Sequence, residues 1–357
     1  MGGDTRAVPP TLREALAAYP EVEAEAADVE ATPLGGGLLH ASWAVHSARG
    51  EFVTQRVNPV FAPAIHENIA AVSAHLATRG CPTISLCKTA DAGLFVDTAS
   101  GERWRLMHRL PGVTFETCGR SEQARAAGVA VGEFQSALED FDRPLAPIGF
   151  PFHDTDHHLA ELREAIAAHG DHPRAGDVSA LATKVFEAVE AYRPPPGLPL
   201  RVVHGDLKFS NVLFAGREAP ACDRAVALID LDTVCRLPIY FDMGDAWRSW
   251  SNRRAEDAPE ADLDPAIFVA AAEGYRARLS VALGEAERRS LERALENVAL
   301  ELCARFATDV LRERYFAWDD TRFASSSEHN WARARGQWSL YEQARETEAE
   351  RLLPLRD

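Results

Sequence analysis

The stretch His204-Gly205-Asp206-Leu207-Lys208-Phe209-Ser210-Asn211 constrains this chain more than any other. Apolar runs flank it, Leu200 to Val203 before and Val212-Leu213-Phe214 after. A third run, Ala225 to Ile229, ends in Asp230-Leu231-Asp232. Short apolar runs bounded by polar turns read as strands, so the motif is a loop between two strands and Asp230 closes the next one. One carboxylate, an amide five positions later and a second carboxylate at a strand end are the parts needed for phosphoryl transfer from ATP with Mg2+. The first Asp would meet the attacking hydroxyl. The Asn and the later Asp offer oxygen to a hard cation. That reaction asks little covalent chemistry of a protein, so positioned carboxylates, metal and cations carry it.

Asp206 is therefore the candidate catalytic carboxylate, and Asn211 and Asp230 are the candidate metal ligands. Alone, Asp206 would read as a loop cap; the three residues together favour chemistry. Lys208 places a cation two residues beyond Asp206, where it would offset charge on a phosphate in flight; a solvent-exposed lysine is the alternative. His204 reads as a brace of the loop. Asp232 either reaches magnesium or caps the turn that follows.

The chain has 357 residues, a length at which two lobes are expected. Its formal net charge of -16 makes nucleic acid and membrane surfaces poor partners, so an ATP site would be a local cationic pocket on an acidic body. The six cysteines form no C-x-x-C pair and no cluster with histidine, which points to reduced thiols rather than zinc or a disulfide framework. The N-terminus lacks a basic and apolar leader, and no apolar segment is long enough to span a bilayer. A cytoplasmic location is the expectation.

Periodicity predicts an N-terminal helix over Thr11–Ala27 and then strands around the Gly35-Gly36-Gly37 loop, over Ser42–His46, Phe52–Val57, Leu94–Val96 and Trp104–Met107. A helix opens at Pro63, with Ile65, Ile69, Val72 and Leu76 on one face. Pro111-Gly112 breaks the pattern. Ala127, Val131, Phe134, Leu138 and Phe141 then mark a helix, as does the stretch from about Asp177 to Tyr192. Leu291, Leu295, Val298, Leu302, Phe306 and Val310 form the stripe of one long helix. Strands first and helices later give an α+β class.

The 204–211 motif is similar to the protein-kinase catalytic loop, with two departures: Gly205 replaces its Arg, and Leu231-Asp232 replaces the Phe-Gly after the metal Asp. Those departures resemble the aminoglycoside phosphotransferase and choline kinase superfamily. Ile229 to Val234, Ile239 to Asp245, Phe52 to Asn58 and Glu301 to Asp309 look like the bacterial N-acetylhexosamine 1-kinases. The matching motifs spread from about residue 33 to about residue 340.

The resemblance implies a two-lobed protein-kinase-like fold, with an N-lobe over 1–107, a helical C-lobe over 108–357, and ATP in the cleft between them. Gly35, Gly36 and Gly37 would lie over the phosphates. Gln55 or Arg56 would replace the usual phosphate-anchoring lysine; Arg56 supplies the charge and is preferred. Glu67 stands where the kinase ion-pair partner would be, or on a solvated helix face. Backbone groups near Met107 and Arg109 would meet adenine. His40 occupies the place where the related sugar kinases commonly carry Asn, beside sugar or phosphate. Asp242 matches the structural Asp that holds the catalytic loop, a task Asp245 could share. Arg305 and Tyr315 match sugar-holding positions, against the alternative of an Arg305–Asp309 salt bridge.

The implied activity is an ATP- and Mg2+-dependent kinase of a hexose or N-acetylhexosamine, at the anomeric hydroxyl. Two alternatives stand beside it. One is a kinase of a choline-like or aminoglycoside cation, with Trp247 and Trp250 as an aromatic box. The other is a pseudokinase binding module, which the intact Asp206, Asn211 and Asp230 set disfavours.

Overall fold

The structure, a computed structural model, describes residues 9–22, 29–35, 39–191 and 193–356. It comprises two compact units. The first holds the chain up to Gly112 together with Asp140–Phe150 and Ala227–Cys235; the second holds Val113–Glu139, Pro151–Val226 and the chain from Arg236 onward.

The first unit is built on an antiparallel sheet of β1 (Glu30–Leu34), β2 (Ala41–Ser47), β3 (Gly50–Arg56), β4 (Val96–Asp97) and β5 (Arg103–His108), in the order β1-β2-β3-β5-β4. Gly50, at φ +144°, makes the tight β2–β3 turn. Side chains alternate across the sheet. Trp43, Val45, Phe52, Trp104 and Leu106 point to one face, where Leu12 and Leu16 of helix α1 (Pro10–Ala17) pack with Tyr19 and Val22. Register places Ser42 beside Gln55 and Gln55 beside Arg105, so these three share the opposite face.

Helix α2 (Ile65–Thr78) follows Pro63, and its predicted face of Ile65, Ile69, Val72 and Leu76 is buried. Two expectations need correction here. The first helix ends at Ala17, because Pro20 cannot continue it, and the rest of the predicted span, 23–27, lies outside the described residues. The edge strand is Val96–Asp97 rather than Leu94–Val96.

The second unit is mainly helical: α3 (Ser121–Ala137), α4 (Thr155–Ala168), α5 (Ala175–Ala191), α6 (Tyr240–Ser251), α7 (Pro265–Arg278), α8 (Glu285–Glu292), α9 (Ala294–Arg312), α10 (Ser326–Glu346), α11 (Glu348–Arg351) and α12 (Leu353–Arg356). Short strands β6 (Arg201–Val203) and β7 (Val212–Phe214) flank the 204–211 loop. They are followed by β8 (Ala225–Leu228) and β9 (Cys235–Leu237). Helices α3 and α7 approach closely through glycine: a Cβ on Gly274 would collide with the Arg125 carbonyl.

Helix α9 is buried almost all round, so its apolar residues exceed a single stripe. The predicted long helix is two helices, because Arg293 (φ −116°, ψ 11°) leaves the helical region between α8 and α9. Helix α4 was not expected from the sequence. Its N-cap is Asp154, which accepts from the His157 N–H, and its buried face is short: His158, Leu159, Leu162 and Ala165. No helix of the described residues is long and apolar enough to cross a membrane.

Candidate active site

The 204–211 loop is tied at several points to α6. Gly205, at φ +86°, makes the bend after β6. Its N–H donates to Asp242 Oδ1 (2.7 Å), and the His204 N–H donates to Asp242 Oδ2 (3.0 Å). Gln135 of α3 donates to the same Oδ2 (3.0 Å) and accepts from the Tyr275 hydroxyl of α7 (2.7 Å). The close α3–α7 packing thus places Gln135. Burial pushes the Asp242 carboxyl above its ordinary value, against the pull of His204 and these N–H donors. Further along, Ser249 Oγ accepts from the Phe209 N–H (3.1 Å), and the Trp250 indole N–H donates to the Leu207 carbonyl (2.6 Å). Asp245 instead takes Arg248, at 2.6 Å and 2.9 Å. Of the two candidate aspartates, Asp242 is the one that holds the loop backbone.

Trp247 and Trp250 do not form an aromatic box. Both are buried, Trp250 has spent its N–H on the loop, and Trp247 packs on Phe268. A closed core leaves no face for a quaternary ammonium.

Asp206 stays partly open, with 30% of its side chain exposed. Lys208 Nζ lies 2.6 Å from its Oδ2. The Asn211 amide N–H₂ donates to the Asp206 carbonyl (2.8 Å) and to Oδ2 (3.1 Å). Burial works to raise the Asp206 pKa, but the Lys208 ammonium and its hydrogen bond outweigh that, and the carboxyl lies below its ordinary value. At neutral pH it is an ionised acceptor. Because the Asn211 nitrogen faces Asp206, its amide oxygen faces away, and it accepts no hydrogen bond among the described residues.

Helix α9 carries Glu301, Arg305 and Asp309 at one-turn spacing, on one face. Asp309 is not a partner of Arg305. It is buried, and its Oδ1 accepts from the N–H groups of Arg314 (3.0 Å) and Tyr315 (2.9 Å). Its Oδ2 accepts from the Phe316 N–H (2.9 Å) and the Asn330 amide (3.0 Å). Asp309 therefore shapes the loop that presents Tyr315, which is 53% exposed. The Arg305 guanidinium sits 5.9 Å from the Tyr315 ring centre and 5.6 Å from that of Phe316. It makes no hydrogen bond or ion pair among the described residues.

In the first unit a buried polar chain runs along the sheet face of Ser42, Gln55 and Arg105. Gln55 Oε1 accepts from Arg105 Nε (2.8 Å) and Nη2 (2.6 Å), and Gln55 Nε2 donates to Ser42 Oγ (3.0 Å). Arg105 Nη1 lies 2.7 Å from Asp232 Oδ1, an ion pair whose N–H direction falls outside hydrogen-bonding geometry. His40 Nε2 meets Asp232 Oδ2 at 2.6 Å, and His40 Nδ1 accepts from the Asn58 N–H (3.0 Å). An Nδ1 that accepts has no proton, so Nε2 is the donor to Asp232. Burial alone would raise the Asp232 pKa. Arg105 and then His40 overcome it and hold the carboxyl far below its ordinary value.

Both Asp232 oxygens are thus occupied from within the fold. Asp230 is half-buried and left-handed (φ 68°, ψ 64°), a posture Asp tolerates. Ligand-capable atoms of His40, Asp230 and Asp232 lie within 4.8 Å of one another.

The remaining expected nucleotide residues divide. Gly35, His40, Ser42, Arg56 and Asn58 border one cavity of about 1390 Å³. Gly36 and Gly37 lie outside the described residues. Arg56 is on the sheet face opposite to Gln55 and pairs with Glu102 (2.8 Å), so the buried cation of the Gln55 face is Arg105, which sequence reasoning missed. The available signal was an Arg inside the apolar run Trp104–Met107. Met107 is buried on the Gln55 face. The Arg109 N–H already donates to the Glu51 carbonyl (3.0 Å), and its guanidinium lies 3.4 Å from the Glu51 carboxylate. That N–H is not available to a base, which narrows the expected backbone contacts to other groups of the connector. Glu67 is on the exposed face of α2.

The profile of a family described as "Phosphotransferase enzyme family" matches residues 30–280. The chain belongs to this family. Its fold is shared with several solved structures. An aminoglycoside phosphotransferase from Alicyclobacillus acidocaldarius is 15% identical, covers 97% of this chain with 99% of its own, and superposes with a TM-score of 0.59. A microcompartment-associated aminopropanol kinase is 17% identical, with 96% and 98% covered and a TM-score of 0.61. An amicoumacin kinase, solved in complex with AMP-PNP and Ca2+, is 12% identical, with 93% and 92% covered and a TM-score of 0.59.

Within this phosphotransferase, the Arg105–Asp232 pair gives a stability test. An Arg105→Met change strands a buried carboxylate and is expected to cost about 3 kcal/mol at neutral pH. Asp232, held below its ordinary 3.8, contributes stability above that value and loses it as the pH falls through its folded value. The gap between variant and wild type should therefore narrow in acid, below about pH 4. Urea unfolding at neutral and acid pH measures both. A variant as stable as wild type at neutral pH would show that Asp232 does not need Arg105.

Proposed function

We propose that the chain transfers the γ-phosphoryl group of ATP, with Mg2+, to a hydroxyl of a hexose or N-acetylhexosamine, at the anomeric position. The observation that carries the acceptor class is the α9 face. Its two carboxylates are spent, Glu301 on His153 and Thr155 and Asp309 on loop amides, while the Arg305 guanidinium keeps its donors. A cationic acceptor would need the reverse. A neutral polyol suits an arginine that donates to two oxygens and an exposed Tyr315 ring that can lie on a pyranose face. An amino alcohol, by analogy with the aminopropanol kinase, is the rival reading.

In this proposal Asp206 accepts the hydrogen bond of the attacking hydroxyl and takes its proton as the new bond forms. Its lowered pKa makes it a weak base, which suits a loose phosphoryl transfer in which orientation counts more than proton abstraction. Lys208, now on Asp206, would offset charge on an incoming phosphate. The Asn211 amide oxygen and the Asp230 carboxylate are each hard donors of the kind magnesium takes. Magnesium held by such donors would neutralise charge on the triphosphate. Gly35, with Gly36 and Gly37, would offer backbone N–H groups to phosphate.

Replacing Arg305 by Ala should raise KM for the sugar about ten- to a hundredfold and leave KM for ATP within about twofold, the value of a charged hydrogen bond to a neutral group. The melting temperature should fall little, because Arg305 makes no hydrogen bond or ion pair among the described residues. The decisive screen is coupled ADP release over neutral sugars, amino alcohols and aminoglycosides. An amine with a kcat/KM above that of every neutral sugar would end the sugar reading.

A further inference from the structure

We infer that His153 and Glu301 are positioning residues that link the acceptor side of α9 to the peptide carrying Asp206. His153 Nε2 lies 3.1 Å from the Gly205 carbonyl, and its Nδ1 lies 2.9 Å from Glu301 Oε1. A carbonyl and a carboxylate can only accept, so both ring nitrogens donate and the ring is an imidazolium. Burial opposes that charge, but Glu301 outweighs it and the His153 pKa is raised. Burial likewise opposes charge on Glu301, yet His153 brings its pKa down to about 2. Thr155 Oγ1 donates to the other Glu301 oxygen (2.5 Å).

The peptide between Gly205 and Asp206 is consequently held at both ends. Its C=O takes His153, and its N–H donates to His204 Nδ1 (3.3 Å). The ring of His153 stacks on Phe241, next to Asp242, with centroids 4.8 Å apart. His153 itself is left-handed, at φ +49°, an uncommon posture for a residue with a Cβ. Such strain persists only where the surroundings impose it, and it collects at functional sites.

The loop's other holds come from α6 and from the loop itself. The hold by His153 leads to α9, through Glu301. Arg305 lies one turn beyond Glu301 on the same helix face. A sugar that draws on Arg305 therefore bears on the element that fixes the Asp206 peptide. This inference rests on the proposed role of Arg305 and assigns no contact with substrate to His153 or Glu301.

The test is a double-mutant cycle read in single-turnover rate and in both Michaelis constants. His153→Phe keeps a ring but removes both donors, and should lower the rate about thirtyfold with KM for ATP within about twofold. His153→Gln can still donate to the Gly205 carbonyl and should recover at least a third of that loss. In His153→Phe/Arg305→Ala the combined loss in kcat/KM for the sugar should be several-fold smaller than the product of the single losses. Losses that multiply would overturn the linkage while leaving Arg305 in its sugar role. An Arg305→Ala enzyme with wild-type sugar kinetics would instead remove the acceptor reading itself. Should His153→Phe fail to fold, the same cycle with Glu301→Gln decides, because that change removes the charge and keeps a hydrogen-bonding amide. A Glu301→Gln enzyme of full rate, whose combination with Arg305→Ala loses no more and no less than Arg305→Ala alone, would overturn the proposal.

Discussion

Asp206→Asn should lower kcat at least about a thousandfold while ATP affinity changes less than about threefold. The amide keeps the size of the carboxylate and one acceptor oxygen, so the turn closed by Asn211 and the anchors to Asp242, Ser249 and Trp250 remain. What disappears is a negative acceptor for the hydroxyl proton. The wild-type carboxyl lies below its ordinary value because of Lys208, so its own protonation should not limit the rate at any pH above the usual carboxylate range. A loss that first appears near neutrality would point to another group. Turnover from coupled ADP release, with calorimetric titration of an ATP analogue, separates chemistry from binding. If a tenth of wild-type turnover survives in the variant, Asp206 does not orient the acceptor.

What the sequence revealed follows from how local each interaction is. The 204–211 motif was readable because its residues act within a few positions of one another, and the Asn211 and Lys208 contacts to Asp206 are of that kind. The α+β class was readable because strand and helix periods differ and because the strands come first. The buried face of α2 followed from spacing alone. Arg105 was hidden because its meaning depends on strand register: only the pairing of β3 with β5 sets it beside Gln55. His153 and Glu301 stand 148 residues apart, and no local rule joins them. The Arg305–Asp309 alternative was reasonable at one-turn spacing, yet three loop amides compete for that carboxylate and win. Helix propensity could not foresee this, since backbone N–H groups leave no mark on the sequence. Trp247 and Trp250 erred in the other direction. Aromatics near acidic residues resemble a cation cage, but here one braces the 204–211 loop and the other fills the core.

The second large effect is expected at Asp230. Asp230→Ala should cut phosphoryl transfer about a thousandfold or more and weaken magnesium-dependent binding of an ATP analogue at least about tenfold, because a hard cation loses a charged oxygen ligand. The neighbouring Asp232 is poorly placed to substitute. Arg105 and His40 occupy its two oxygens, and freeing either would leave a buried cation or an unsatisfied ring nitrogen. The left-handed backbone at Asp230 complicates the alanine variant, since Ala resists φ near +68°. Asp230→Asn answers that difficulty. Asn accepts the left-handed posture and keeps one oxygen but not the charge, so its melting temperature should match wild type while transfer still falls steeply. Two comparisons then read the role of the residue. Binding of the analogue measured with and without magnesium should lose its metal dependence in both variants. Replacing magnesium by manganese, which accepts oxygen and nitrogen donors more readily, should recover part of the Asn variant's activity and none of the Ala variant's. If both variants retain the wild-type magnesium dependence, the metal is held elsewhere, and the Asp230 carboxylate belongs to the buried polar chain of Asp232 and His40.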